Sequence, residues 1–242
     1  IRMAQEANER KQREELDQMK FRFFTNISHE FRTPLTLILT PLGALIHDTG
    51  EPELKKRLEP IYNNACRLLN LVNQLLDFRK LEMKGERLQL KMNDMVYFLE
   101  ETVRQFTDLA VSRGIELSFE PKVERLFMNY DSDKMYKMLN NLLSNAFKFT
   151  SAHGQVRVTV DSVTEDGRPY AAVRVEDTGC GIAEKDLPFV FNRFYQTNTE
   201  GQPAGQGSGI GLHLVREYAR LHEGKVTVES RPGEGTSLTL YI

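Results

Sequence analysis

In the first third of the chain, apolar positions recur at helical steps. Leu16, Met19, Phe23, Ile27, Phe31, Leu35, Ile38, Leu42 and Leu45 follow one another at three- and four-residue intervals, the spacing of an amphipathic helix of coiled-coil type. The pattern predicts a helix from near the start to about His47. "HDTGEP" then supplies a turn, with Pro52 suited to the first position of the next helix. In that second arm Leu54, Leu58, Ile61, Ala65, Leu68, Val72 and Leu75 alternate steps of four and three, a heptad seam that needs a partner. A helical hairpin of this kind exposes too much apolar surface alone, and pairing into a dimeric four-helix bundle is its simplest closure. Pro34 and Pro60 lie inside these patterns and are expected to bend or locally break their helices.

After "LEMKGERLQL" the period changes. Short β-like runs at Arg87–Lys91, Ile115–Glu120, Gln155–Val160, Tyr170–Glu176, Lys225–Ser230 and Ser237–Ile242 alternate with helical patterns near Met95–Ser112, Lys134–Phe147 and Gly209–Leu221. The expectation is therefore multi-domain: an all-α hairpin over 1–85, then an α/β two-layer domain over 86–242. Gln196 to Ser208, poor in apolar residues and rich in glycine, reads as a mobile loop.

Composition narrows the classes. Charged residues make up 27% and hydrophobic ones 40%, which fits folded domains rather than disorder. A net charge of -2 offers no strong field for nucleic acid or an anionic membrane surface, so no nucleic-acid partner is expected. Cys66 and Cys180 have no paired spacing, which argues against a disulfide framework or a zinc site and for a reducing compartment. No apolar run is long enough to span a bilayer. The opening "IRMAQEANERKQREEL" lacks an initiating Met and reads as a helix entered from further upstream, as in a piece of a longer protein.

Four stretches carry candidate chemistry. In "NISHEFRTPLTL", His29 lies about 200° from both Ile27 and Phe31 around the helix, on a polar face with Arg22, Thr25, Asn26, Arg32, Thr33, Thr36 and Thr40. On helical pattern alone an idle surface histidine is the commoner case. In "NNLLSNAFKFT", Asn141, Asn145 and Lys148 share one face while Leu142, Ala146 and Phe149 fall on an adjacent inward face. Amide oxygens can ligate Mg²⁺ and lysine can meet a phosphate, although buried asparagines often only satisfy backbone groups. In "VEDTGCGI", Asp177 ends an alternating strand before Gly179 and Gly181, which holds a carboxylate at a tight turn or merely ends the strand. In "GQGSGIGLHLV", Gly205, Gly207, Gly209 and Gly211 lead into a helix whose free N–H groups can receive an anion, a composition that flexible linkers share. The last three, in one domain, together supply a base reader, a metal site and a phosphate cradle.

"SHEFRTPL", "NLLSNAFKFT", "DTGCGI", "FNRFYQ" and "GQGSGIGL" resemble, in order, the H, N, G1, F and G2 boxes of sensor histidine kinases. The resemblance implies a dimerisation and phosphoacceptor domain followed by an ATP-binding domain of the Bergerat fold, shared with gyrase, Hsp90 and MutL. It implies His29 as phosphoacceptor, Glu30 as the acid that takes the imidazole proton, and Thr33 as the residue that orients water when a partner regulator is dephosphorylated. Asn145 with Asn141 would hold Mg²⁺, Lys148 would steady the phosphates of ATP, and Asp177 would accept from the adenine amino group. Gly179 and Gly181 would admit the nucleotide, Gly205 to Gly211 would form a lid hinge, and Phe191, Arg193 and Phe194 would anchor the lid.

Two departures from the family pattern stand out. Phe149 replaces a frequent tyrosine, and Asn141 stands where the ATPase branch places a water-activating glutamate, so transfer is favoured over hydrolysis. His47 and His153 read as loop residues, His213 and His222 as helix surface or packing positions, and Phe21, Phe23 and Phe24 as bundle packing. The implied partners are a second copy of the chain and the aspartate of a response-regulator receiver domain, separate or fused. The "LVNQLLDFRKLE" segment resembles the hybrid sensors of Bacteroidetes, which implies the cytoplasmic portion of an inner-membrane sensor. A nucleotide-binding scaffold without transfer and a chaperone-type ATPase are the competing readings.

Overall fold

The computed structural model describes residues 26–27, 29–82, 87–165, 167–196 and 208–242. The N-terminal part of the first apolar stripe, Phe21, Phe24, Gly205, Gly207 and most of the Gln196–Ser208 loop lie outside the described residues. Two compact units divide the chain, Ile1–Glu86 and Arg87–Ile242.

The first unit is a helical hairpin. Helix α1 covers residues 29–48, with 26 and 27 also helical, and α2 runs Pro52–Glu82 after a three-residue turn. Neither Pro34 nor Pro60 interrupts its helix, contrary to expectation. Each proline removes one i→i−4 bond from a long helix whose remaining bonds and packed face hold it together. The apolar stripes divide between two neighbours. Leu35 and Leu76 are buried within the hairpin, whereas Phe31, Ile38 and Leu45 on α1, and Leu54, Ile61 and Leu68 on α2, stay exposed in the single chain. Each exposed set repeats every seven residues, the period of a coiled-coil seam.

The second unit is a two-layer α/β sandwich. A ribbon of β1 (Lys91–Asp94) and β3 (Phe127–Tyr130) pairs antiparallel. The five-stranded sheet runs β2 (Glu116–Pro121), β4 (Gln155–Glu165), β5 (Arg168–Asp177), β7 (Gly235–Tyr241), β6 (Lys225–Arg231), with β2 and β4 parallel and the rest antiparallel. Helices α3 (Met95–Arg104), α4 (Thr107–Arg113), α5 (Ser132–Phe149) and α6 (Gly211–Leu221) complete it. Period-two alternation turns Val156, Val158 and Val160 of β4 and Ala171, Val173 and Val175 of β5 into the core, where they meet Leu139, Leu142 and Leu143 of α5 and Leu214 and Val215 of α6.

Three differences from the sequence pattern have identifiable causes. The first strand lies at Lys91–Asp94 rather than Arg87–Lys91, because Asp94 ends it as N-cap of α3, accepting from Val96 and from Leu126. The Met95–Ser112 pattern is two helices, since Gln105 and Phe106 turn back on Thr102 and Val103 and Phe106 stacks on Phe147 at 5.7 Å. The short strand β3 carries too few residues for a visible alternation, and its pairing with β1 makes it a strand.

Candidate functional site

His29 is exposed on α1, and so is Glu30 beside it. One turn on, the Thr33 hydroxyl donates to the His29 carbonyl oxygen at 3.1 Å, which satisfies an acceptor in the turn that Pro34 follows. Thr33, Thr36 and Thr40 on the same face are exposed as expected, while Arg32 is half-buried.

In the second unit the chemistry gathers where β5 ends beside the C-terminal half of α5. Asp131 starts that helix, accepting from Lys134 at 3.1 Å through Oδ1 and from Gln89 at 2.8 Å through Oδ2. Leu142 and Ala146 are buried as expected, but Phe149 is only half-buried and Phe147 takes the core place. Lys148 therefore lies over the Phe149 ring, its Nζ 4.5 Å from the centroid. Asn141 donates to the Lys137 carbonyl at 2.8 Å, which leaves its amide oxygen directed elsewhere. The half-buried Asn145 amide has no hydrogen-bond partner among the described residues.

Asp177 is the electrostatic centre of this region. Burial pushes its carboxyl up to about 6, against the pull of backbone N–H groups of Gly179 and Thr236. Its Oδ1 accepts from Gly179 at 2.8 Å. A Cβ at Gly179 would stand 2.5 Å from the Phe149 carbonyl oxygen, so the turn lies directly on the end of α5. Gly181 has φ +69°, and a Cβ there would stand 1.9 Å from the Arg231 carbonyl oxygen. The two glycines serve different ends: one permits a close approach, the other a left-handed turn.

The described ends of the glycine-rich loop meet each other. Gly209 has φ +66°, and its carbonyl accepts from Phe194, itself at φ 60° and exposed. Tyr195 donates to Asp186 at 2.7 Å, and its ring lies 5.6 Å from that of Phe189. Gly211 opens α6.

His213 was not singled out for a role in the sequence, yet it is buried and joins these parts. Arg216 lies 3.2 Å from Nδ1, so the other ring nitrogen carries the proton that Phe191 accepts on its backbone. Burial, with Arg193 and Arg216 nearby, lowers its pKa against the opposing pull of Glu217, and the ring is neutral at physiological pH. Its position three residues after the buried Ile210 is the signal that marks it as inward. His222 is a second strut: Nε2 accepts the Asp131 N–H at 3.1 Å, and Nδ1 lies 2.8 Å from the Tyr218 carbonyl, tying α6 to the start of α5. His47 belongs to the last turn of α1 rather than to a loop, and His153 sits in the turn before β4.

A concavity of about 360 Å³ lies on the outer sheet face among Glu120, Arg157, Arg174 and Glu176. Its charges pair with each other, Arg157 of β4 lying 3.2 Å from Glu120 of β2 and Arg174 lying 3.6 Å from Glu176 along β5. That is the solvated face of a two-layer sandwich, away from the Asp177 turn.

The His Kinase A (phospho-acceptor) domain matches residues 19–84, and the histidine kinase-, DNA gyrase B- and HSP90-like ATPase domain matches residues 130–242. Histidine kinase P4 of Formosa agariphila is 38% identical over 238 residues, covering 96% of this chain and 17% of the relative. Hybrid signal transduction histidine kinase D of Dictyostelium discoideum is 35% identical over 230 residues, covering 94% of this chain and 15% of the relative. The chain thus spans less than a fifth of the length of these two relatives. The structure of full-length ShkA in complex with AMPPNP superposes with a TM-score of 0.71 at 28% identity, over 90% of this chain and 44% of that one. The Acinetobacter baumannii histidine kinase AdeS shares the fold, with a TM-score of 0.59 over 88% of this chain and 96% of that one at 23% identity. No helix among the described residues is long and apolar enough to cross a membrane. A phosphoacceptor-type helical hairpin, followed by an ATPase-type sandwich with its carboxylate at a strand-end turn, makes this chain a member of the sensor histidine kinase family.

Proposed function

We propose that the chain is the catalytic core of an ATP-dependent protein-histidine kinase, with 1–85 as dimerisation and phosphoacceptor domain and 86–242 as nucleotide-binding domain. The observation that carries the reading is the half-buried Asp177 carboxylate, placed by β5 at a turn whose Gly179 has no room for a side chain. An acceptor of that kind selects an exocyclic amino group, as adenine offers. The AMPPNP bound by the similar ShkA supports the same ligand class.

Asn145, with an open amide, and Asn141 are the residues that would hold Mg²⁺, which neutralises phosphate charge when bound. Lys148 would swing from the Phe149 ring to the phosphates, and Gly209 and Gly211, with Gly205 and Gly207 outside the described residues, would frame the lid. Arg193 and Phe194 lie at its base. In the transfer step a free imidazole nitrogen of His29 forms a bond to the γ-phosphorus as the bond to the β–γ bridging oxygen breaks and ADP departs. The proton on the ring passes to Glu30. The phosphoryl group would then move to a receiver aspartate, and Thr33 would serve the reverse role of orienting water against that phospho-aspartate. Exposed heptad seams on both helices support a homodimer. A fused receiver and a membrane anchor elsewhere in a longer protein are part of the proposal.

Incubation with γ-labelled ATP and Mg²⁺ tests it. The native chain should acquire acid-labile, alkali-stable label, and His29→Ala should bind nucleotide normally and acquire none. Nucleotide binding without label in the native chain would turn the reading toward a scaffold, and hydrolysis without phosphoprotein toward an ATPase.

A further inference from the structure

The "LVNQLLDFRKLE" stretch contains a polar residue that the catalytic assignments leave unused. Asn73 lies half-buried on α2, and its Oδ1 accepts from Nη2 of Arg32 on α1 at 2.8 Å. Further along the hairpin, the Gly43 Cβ position lies 3.3 Å from the Tyr62 ring. Eleven residues separate Arg32 from Gly43, and eleven separate Tyr62 from Asn73, so the two contacts define one antiparallel register. Close steric packing sets it at one end and a charge-assisted hydrogen bond at the other.

Arg32 follows His29 by three residues, about 4.5 Å along the axis and about 60° around it. A bond that stops Arg32 from turning also stops His29. With a ring nitrogen about 6 Å from the axis, a rotation of α1 by about 10° displaces it by about 1 Å. Such a displacement costs in-line attack on the order of a hundredfold in rate. Apolar packing between two smooth helices resists sliding but opposes a small roll weakly, whereas a directional bond to a planar guanidinium opposes it strongly.

We infer that Asn73 is a positioning residue for phosphoryl transfer: through Arg32 it fixes the rotation of α1 and so the direction in which His29 presents its nucleophilic nitrogen. This rests on the histidine kinase reading above. Asn73 makes no contact with the reacting atoms.

The test uses the whole chain with Asn73→Leu, which keeps the volume and removes the acceptor, and Asn73→Asp, which keeps the acceptor for Arg32. Labelling rates are measured across ATP concentrations, with dimer mass and melting temperature recorded for each variant. Asn73→Leu should lower the maximal labelling rate roughly ten- to a hundredfold with KM for ATP within about twofold of native, while Asn73→Asp stays within a few-fold of native. Labelling of Asn73→Leu at the native rate would overturn the inference, as would equal losses in both variants or a loss confined to KM. If Asn73→Leu does not fold, slow labelling by a folded, dimeric Asn73→Asp would overturn it instead. Absence of label in the native chain would remove the kinase reading first and this one with it.

Discussion

Oδ1 of Asp177 accepts the backbone N–H of Gly179 at 2.8 Å, so the carboxylate that would read the nucleotide base is also the residue that shapes the turn beside it. That bond favours the ionised form, yet burial prevails and the carboxyl sits at about 6.

Nucleotide binding should therefore depend on pH through Asp177. Only the ionised carboxylate accepts from an amino group without carrying a proton of its own. ADP affinity should be flat above pH 7 and fall about tenfold by pH 5, as a group titrating near 6 loses its charge. Asp177→Asn should bind ADP more weakly at neutral pH and lack this titration. Calorimetric titration over pH 5 to 8 reads both, and a native profile identical to that of Asp177→Asn would contradict the assignment.

The same shift has an opposite consequence for the ligand-free fold. A carboxyl that keeps its proton to higher pH in the folded state than in the unfolded one makes stability fall as pH rises between the two values, from about 4 to about 6. Above that window the partly buried charge costs on the order of 3 kcal/mol. Asp177→Asn should accordingly raise the melting temperature at pH 7.5 while weakening nucleotide binding. A destabilised variant would show that the Gly179 bond outweighs desolvation.

Gly179→Ala and Gly181→Ala should differ in kind. At Gly181 the left-handed φ and the Arg231 carbonyl both exclude a side chain, so the substitution should lower stability by about 2 kcal/mol or more in urea melts. At Gly179 the obstruction lies between the Asp177 turn and the end of α5. That variant should lose ADP affinity beyond what its melting shift explains.

If the glycine-rich loop acts as the proposed lid, His213→Ala should release its base. The neutral ring links Arg216 to the Phe191 backbone, and no water-sized substitute restores both bonds. The expectation is a several-fold rise in KM for ATP with the first-unit helices unaffected, and partial rescue by His213→Gln, whose amide offers both a donor and an acceptor. Unchanged KM in His213→Ala would remove the ring from lid positioning.

Ile61→Glu or Ile38→Glu should dissociate the proposed dimer. Both side chains are about half exposed in the single chain, at heptad positions of the open seams. Sedimentation should give a monomer with the ATP-binding half still folded. A dimer that persists would place the interface elsewhere.

The parts of this molecule that were legible in the sequence are those governed by period. Seven-residue repeats marked the hairpin, two-residue alternation marked β4 and β5, and glycine spacing marked the turns around Asp177. What escaped depends on long-range partners. β3 is a strand because β1 lies beside it, and the Met95–Ser112 pattern divides because Phe106 stacks on a ring 41 residues away in sequence. His213 and Asn73 look like ordinary helix residues until Phe191 and Arg32 are brought to them. The prolines misled in the other direction: a local rule forecast breaks that long packed helices absorb.

β5 is the middle strand of its sheet, hydrogen-bonded to β4 on one side and β7 on the other, and Asp177 is its last residue. Amide exchange there should proceed only through global opening, at the slowest rates in the chain, whereas the amides around His29 on the exposed hairpin should exchange through fraying. Under the proposed reading, base selectivity would then reside in the middle strand of a five-stranded sheet, and the nucleophile on a helix that is open to solvent.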